Sequence, residues 1–215
     1  MTMNERLRGL YAITPDRHVD LAQLRSDVEA ALAGGARIVQ YRDKSGDTER
    51  RRLEARVLRD LCSAFAVPFI VNDDVELAVA TLADGVHIGR DDGELAVARR
   101  RLGEGRLVGV SCYNDFELAR QAAAGGADYI AFGSFFASPT KPNAVSATPA
   151  LLRRARKALG VPVVAIGGIS PENGAALVRD GADMLAVVSA VFGADDITAA
   201  TRAFAHCFDT AEETT

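Results

Sequence analysis

A single closed (β/α)8 barrel, the TIM-barrel α/β architecture with a parallel eight-stranded core, is the fold this sequence predicts. Three observations predict it. Short apolar runs alternate with longer segments of helical spacing from one end of the chain to the other; eight such pairs can be counted; and the runs are too uniformly apolar to present a face to solvent. An open doubly wound sheet uses the same units. The G-x-G-x-x-G turn of dinucleotide binders is missing after the first run, however, where ITPDRHVD stands instead.

The strand runs are GLYAIT, RIVQYR, PFIVND, GVHIG, LVGVSC, YIAFGS, VPVVAIGG and MLAVVSA. The helical segments that follow them in turn are LAQLRSDVEAALAGG, TERRRLEARVLRDLCSAF, DVELAVATLA, GELAVARRRLG, DFELARQAAAGG, TPALLRRARKALG, PENGAALVRDG and DDITAATRAFAHCF. A punctuation recurs at LAGGARIV, LADGVHI, AAGGADYI and VRDGADMLAV, where a helix stops at glycine and a strand resumes. Glycine there fits the left-handed position that ends a helix, and the recurrence implies one unit used repeatedly. Residues 1–208 form the barrel domain on this reading, and the acidic stretch DTAEETT (209–215) is expected to be a disordered tail.

At 215 residues with 48% hydrophobic side chains, the chain can bury one sizeable core, built from Ala, Val, Leu and Ile because only 6% of residues are aromatic and Trp is absent. The formal charge of −4 offers no basic excess for a nucleic acid backbone. No stretch approaches the roughly 20 apolar residues that span a bilayer, and the start, MTMNERLRGLYAIT, lacks an apolar signal core, so a cytoplasmic location is expected. Cys62, Cys112 and Cys207 lie far apart, as do His18, His87 and His206, which argues against a disulfide framework or a zinc site. The cysteines read as small buried hydrophobes. A homo-oligomer is compatible with the sequence, which leaves the assembly open.

In a barrel of this kind the functional face is built at the carboxyl ends of the strands. Those ends carry Tyr11 and Thr14; Gln40, Arg42 and Lys44; Asn72 and Asp73; His87, Arg90, Asp91 and Asp92; Ser111; Ser134 with the loop FFASPTKPNA; Gly167 and Gly168; and Val188 and Ser189. In RIVQYRDKSGD, Gln40, Arg42 and Lys44 alternate by two and so share one face. Two cations on one face call for an anion, and Arg42, Lys44, Arg90 and Lys141 together describe a site for phosphate. Asp73 and Asp92 would repel each other without a cation between them, which suits Mg²⁺. Helix capping is the competing role for this acidic set: Asp73 or Asp74 could start VELAV, and Asp92 could start ELAVARR. AIGGIS, completed by VSAVF, suggests a second phosphate grip after the seventh and eighth strands. The long loop after the sixth strand offers Ser138, Thr140 and Lys141 in a proline-stiffened stretch, as a flap over phosphate would.

Taken in order, Q-x-R-x-K, V-N-D-D, H-I-G-x-x-D, G-V-S, S-P-T-K and G-G-I resemble thiamine-phosphate synthase, and the resemblance runs from Tyr11 to Phe192. It implies a Mg²⁺-dependent transferase on a (β/α) barrel that joins 4-amino-2-methyl-5-hydroxymethylpyrimidine diphosphate to a thiazole phosphate and releases pyrophosphate. It further implies that Gln40, Arg42 and Lys44 contact the diphosphate, that Asn72 binds substrate, and that Asp73 and Asp92 hold the metal. By the same resemblance Ser111 lies beside the pyrimidine and diphosphate, Ser138, Thr140 and Lys141 belong to the sixth-loop motif, and Gly168, Val188 and Ser189 grip the thiazole phosphate. Arg42, Lys44, Ser111 and Lys141 are the candidate catalytic groups. Arg90 stands where many relatives carry Gln, and Ser138 where many carry Thr; both keep hydrogen-bonding capacity.

Other classes stay in view. A thiazole tautomerase-like isomerase on the same barrel is expected to carry a histidine after the fifth strand, where Ser111-Cys112-Tyr113-Asn114 stands. A Schiff-base aldolase needs a desolvated lysine within a strand, whereas Lys44 and Lys141 lie at a strand end and in a loop. A non-catalytic phosphate-ligand sensor would keep the seventh-strand grip without the paired aspartates and flap.

Overall fold

The computed structural model describes residues 7–16, 19–89, 94–137 and 145–212. Eight parallel strands close into a barrel in sequential order: β1 (Gly9–Ile13), β2 (Ile38–Tyr41), β3 (Phe69–Asn72), β4 (Gly85–Ile88), β5 (Leu107–Tyr113), β6 (Tyr129–Gly133), β7 (Val163–Ile166) and β8 (Met184–Val187). The predicted fold class is therefore the observed one. Around the barrel lie α1 (Leu21–Ala33), α2 (Thr48–Ala64), α3 (Val75–Thr81), α4 (Leu95–Leu102), α5 (Phe116–Ala124), α6 (Pro149–Ala158), α7 (Pro171–Arg179), α8 (Ser189–Phe192) and α9 (Ile197–Glu212).

Two elements differ from expectation. The eighth strand stops at Val187, and Val188 becomes the N-cap of the four-residue helix α8 instead of continuing the strand. At the carboxyl end, α9 runs on through Glu212 into the segment read as a tail.

Alternation along each strand sorts the core into two layers. Tyr11 and Ile13 of β1 point into the barrel with Ile38, Ile70, Leu107, Tyr129, Val164 and Met184, while Leu10 and Ala12 turn out to the helices with Val39, Val71 and Leu185. Short strands with both faces buried explain why the sequence showed apolar runs and no polar alternation.

The recurrent punctuation falls before β2, β4, β6 and β8, and its structural basis is a turn with one left-handed residue. Gly35, Gly126 and Gly181 hold that position, with φ of 101°, 90° and 114°. In LADGVHI the expectation fails: Leu82 takes the left-handed slot with φ 57°, and Gly85 starts β4 instead. Gly85 is needed there because a Cβ would lie 2.2 Å from the Leu107 carbonyl oxygen on β5. Two residues after three of the four slots, Asp84, Asp128 and Asp183 accept from the first or second N–H of the preceding strand, at Phe69, Val108 and Val163 (2.9, 2.7 and 2.8 Å). These bonds tie the amino ends of neighbouring strands together.

Candidate active site

The segment from Gln40 to Ser45 keeps strand-like alternation beyond the end of β2, and its two faces have different partners. Tyr41 and Asp43 turn toward α2. The Tyr41 hydroxyl donates to Glu54 Oε2 (2.5 Å), and Arg50 Nη2 donates to Asp43 Oδ2 (2.7 Å) and to Ser45 Oγ (2.7 Å). Ser45 N–H donates to Asp43 Oδ1 (2.6 Å), so a buried carboxylate closes the turn. Burial would raise the Asp43 pKa, but the hydrogen bonds from Ser45 and the charges of Arg50 and Arg51 outweigh it and hold the carboxyl below its ordinary range.

Gln40, Arg42 and Lys44 occupy the other face. Arg42 is fixed through its backbone: Thr14 Oγ1 accepts from Arg42 N–H (2.9 Å) and donates to Arg42 C=O (3.3 Å). Its guanidinium pairs with Asp16 beyond the end of β1. Lys44 reaches the opposite way and pairs with Asp73 at the end of β3. Asn72 Nδ2 also donates to the same Asp73 carboxylate oxygen (2.5 Å). Lys44, Asn72 and Asp73, with Asp43, Ser45, Arg51, Asp74, Val75 and Glu76, line a cleft of about 400 Å³.

The capping alternative for the aspartates divides between neighbours. Asp74 Oδ1 accepts from Leu77 N–H (2.8 Å) and caps α3. Asp73 does not cap; it holds φ 63°, its N–H bonded to His87 C=O (2.8 Å), and sends its carboxylate to Lys44 and Asn72. A left-handed, non-glycine residue at a polar rim is strain of the kind functional sites retain. Among the described residues no group of three or more His, Cys, Asp or Glu could hold a metal.

The interior of the barrel supplies what the sequence reading missed. Sequence position puts Tyr11 and His87 at the rim; the structure buries both inside the barrel, 1% and 8% exposed. Gln40 Nε2 donates to the Tyr11 hydroxyl (2.7 Å), which lies 2.8 Å from the Tyr129 hydroxyl; that in turn is 3.3 Å from His87 Nδ1, and His87 Nε2 is 2.9 Å from Ser111 Oγ. Tyr129 carries the centre of this chain, yet in YIAFGS it reads as one more apolar residue at the start of a strand. The only signal for it in the sequence is Gly109. His87, Gly109 and Tyr129 lie in lateral register across β4, β5 and β6, and a Cβ on Gly109 would sit 2.0 Å from Tyr129 Cζ. With that side chain absent, the Tyr129 ring lies across β5 and stacks on His87 (centroids 5.6 Å, planes 22° apart). Burial pushes both phenols, Tyr11 and Tyr129, well above their ordinary range, so they are neutral donors and acceptors at physiological pH.

On the far side of the mouth, Gly167 and Gly168 have φ of 104° and 63°. A Cβ on Gly167 would meet Ser134 Oγ at 1.9 Å, and one on Gly168 would meet the Ala137 carbonyl at 2.4 Å, so the glycine pair lets the loop after β6 lie against the end of β7. Phe136 N–H donates to Gly167 C=O (3.0 Å) and fixes that approach. Val188 and Ser189 lie at the end of β8, next to β7 in the barrel. Arg90, Asp91, Asp92, Ser138, Thr140 and Lys141 lie outside the described residues. The three cysteines are buried and unbridged, as their scatter implied. Burial, with the Asp115 carboxylate adding to it, pushes the Cys112 thiol up to about 12. Cys112 beside the site is therefore expected to react with a thiol reagent at pH 7–8 only after denaturation; stoichiometric labelling of the folded protein at this position would contradict its burial.

Fold and rim together define a (β/α)8-barrel enzyme whose polar and charged groups gather at the carboxyl ends of the strands. A family model described as thiamine monophosphate synthase matches residues 10–191. The thiamine-phosphate synthase of Thioalkalivibrio sulfidiphilus is 52% identical over 205 residues, covering 95% of this chain and 97% of that one. The thiamine-phosphate synthase of Chromobacterium violaceum is 55% identical over 206 residues, 96% and 99% of the two chains. The solved structure of thiamine phosphate pyrophosphorylase from Pyrococcus furiosus superposes with a TM-score of 0.86 at 34% identity, covering 98% of this chain and 99% of that one. The chain belongs to the thiamine monophosphate synthase family; it is a transferase of thiamine biosynthesis that condenses a pyrimidine and a thiazole moiety into thiamine phosphate. No described helix is long and apolar enough to cross a membrane.

Proposed function

We propose that the condensation runs by departure of pyrophosphate before the new bond forms, with Mg²⁺ as cofactor and the residues of the barrel mouth as the groups that take up the charge. The C–O bond between the methylene carbon and the diphosphate breaks with its electron pair on oxygen. The electron-rich aminopyrimidine stabilises the methylene cation, and the lone pair of the thiazole nitrogen closes the C–N bond to give the thiazolium of thiamine phosphate. Such a sequence needs no general base. It needs an anionic leaving group neutralised and two partners held in line.

The observation that carries this reading is the convergence of Lys44, Asn72 and Asp73 on one cleft, with Arg42 beside it on the same segment. Arg42 and Lys44 neutralise the diphosphate, and Ser111 donates to it from β5. Gly168, Val188 and Ser189 hold the thiazole phosphate through backbone groups at the ends of β7 and β8. The donor set suits a hard divalent ion, since Mg²⁺ keeps most of its waters and takes one or two carboxylates plus substrate phosphate. Asp73 offers such a carboxylate, and Asp92, by resemblance, a second. When bound, the ion supplies positive charge to the departing pyrophosphate. Asp73 would hold the ion, with Asn72 and Lys44 orienting its carboxylate and Lys44 adding positive charge beside the substrate anion.

Pyrophosphate release from purified protein is the test, with each substrate alone and both together, with and without Mg²⁺. Release is expected only with both substrates and metal. Asp73→Asn is expected to lower kcat/KM by about 100-fold and Lys141→Ala to lower turnover strongly, each with an unchanged melting temperature. Full turnover in the presence of a chelator would remove the metal from the mechanism, and wild-type turnover by Lys141→Ala would remove the flap lysine. Conversion of a thiazole phosphate alone would point to the isomerase.

A further inference from the structure

Ser111 is held from below by a hydrogen-bond chain that begins at Gln40. A side-chain amide nitrogen only donates, so the Tyr11 oxygen accepts from Gln40. One order of donors satisfies the remaining contacts together: Tyr11 donates to Tyr129, Tyr129 to His87 Nδ1, and His87 Nε2 to Ser111 Oγ. In that order a lone pair of Oγ is occupied by His87, and the serine hydrogen is left for a partner other than the imidazole. Four of the five members (Gln40, Tyr11, Tyr129 and His87) are buried at 8% exposure or less, where the order of donors cannot be exchanged with water.

We propose that His87 and Tyr129 are positioning residues that make Ser111 an obligate hydrogen-bond donor toward the departing diphosphate oxygen. The proposal rests on the reading of Ser111 given above and extends it to buried residues beneath that serine. The chain gains most when charge develops on the leaving oxygen, so it acts on kcat more than on KM. Its geometry depends on Gly109, the gap through which Tyr129 reaches His87.

A double-mutant cycle tests this, with kcat and the KM for the pyrimidine diphosphate measured for each variant and folding followed by melting. Tyr129→Phe keeps the ring and its packing and removes only the hydroxyl. His87→Gln keeps a donor near the position of Nε2, whereas His87→Leu removes it. Tyr129→Phe and His87→Leu are each expected to lower kcat roughly tenfold with KM within about twofold, and His87→Gln to recover most of the loss. In a Ser111→Ala background the same substitutions should have no further effect on kcat. Should His87→Leu prove unfolded, Tyr129→Phe alone completes the cycle. Effects that multiply in the Ser111→Ala background would make His87 and Tyr129 merely structural and overturn the proposal, while leaving Ser111 in the mechanism. A Ser111→Ala enzyme as fast as wild type would instead overturn the reading of Ser111, and the proposal with it.

Discussion

Arg42→Ala is expected to lower kcat/KM by about 100- to 1,000-fold, the range lost when one preorganised charge-stabilising donor is removed from an active site. The fold should not follow. Arg42 is tied to Thr14 by its own N–H and C=O, and alanine keeps both bonds. Its ionic partner, Asp16, is 37% exposed, so water can solvate the carboxylate left behind and the cost to stability is below about 1 kcal/mol. Arg42→Lys should recover only part of the activity, because an ammonium cannot present the planar fork that meets two phosphate oxygens. Pyrophosphate release and thermal melting of the two variants measure both halves of this claim. An alanine variant within a few-fold of wild type would take Arg42 out of the diphosphate site.

The opposite face of the same segment should behave in the reverse way. Arg50→Ala removes the cation that satisfies Asp43, whose side chain is fully buried, and that approaches Glu54, 2% exposed. Leaving buried carboxylates without their cation costs about 3–5 kcal/mol in general; Arg50 is itself 37% exposed, so the lower end applies, about 3 kcal/mol. That corresponds to a fall in melting temperature of roughly 6–12 °C for a chain of this size. The sign of the pH dependence follows from Asp43. Its folded pKa lies below its unfolded value, so its stabilisation is complete above the unfolded value near 4 and is lost as pH falls through the folded one. The gap between wild type and Arg50→Ala should therefore narrow as pH drops from about 5 toward 2. A gap independent of pH would mean that Arg50 stabilises by packing rather than through the ion pair.

These two substitutions probe the two faces of one short sequence, QYRDKS, one turned to the ends of β1 and β3 and the other to α2. The alternation of the first face was legible. Gln40, Arg42 and Lys44 alternate in a way that an apolar strand running out into solvent has no need of, and their partners beyond the strand are polar groups at the ends of β1 and β3. The second face was not, although Tyr41 and Asp43 alternate just as regularly. Its partners, Arg50 and Glu54, lie one turn apart on a helix whose charges read as a solvated surface. The choice between Asp73 and Asp74 as the cap of α3 was likewise open in V-N-D-D, because either aspartate can reach an orphan N–H. The left-handed turn at Asp73, held by His87 C=O, decided it.

The sequence by itself determined the fold class, the eight-fold alternation and the family. All of these rest on local periodicity or on motifs in fixed order, which a linear chain records directly. Only the tertiary structure decided which polar groups meet. Closing the barrel brings Tyr11 to Tyr129, 118 residues away, and Tyr129 to His87 across the missing side chain of Gly109. A hydroxyl on an otherwise apolar ring looks the same in sequence whether it faces solvent or the centre of a barrel. Its role is fixed by burial, which removes water as an alternative partner and makes each remaining hydrogen bond count.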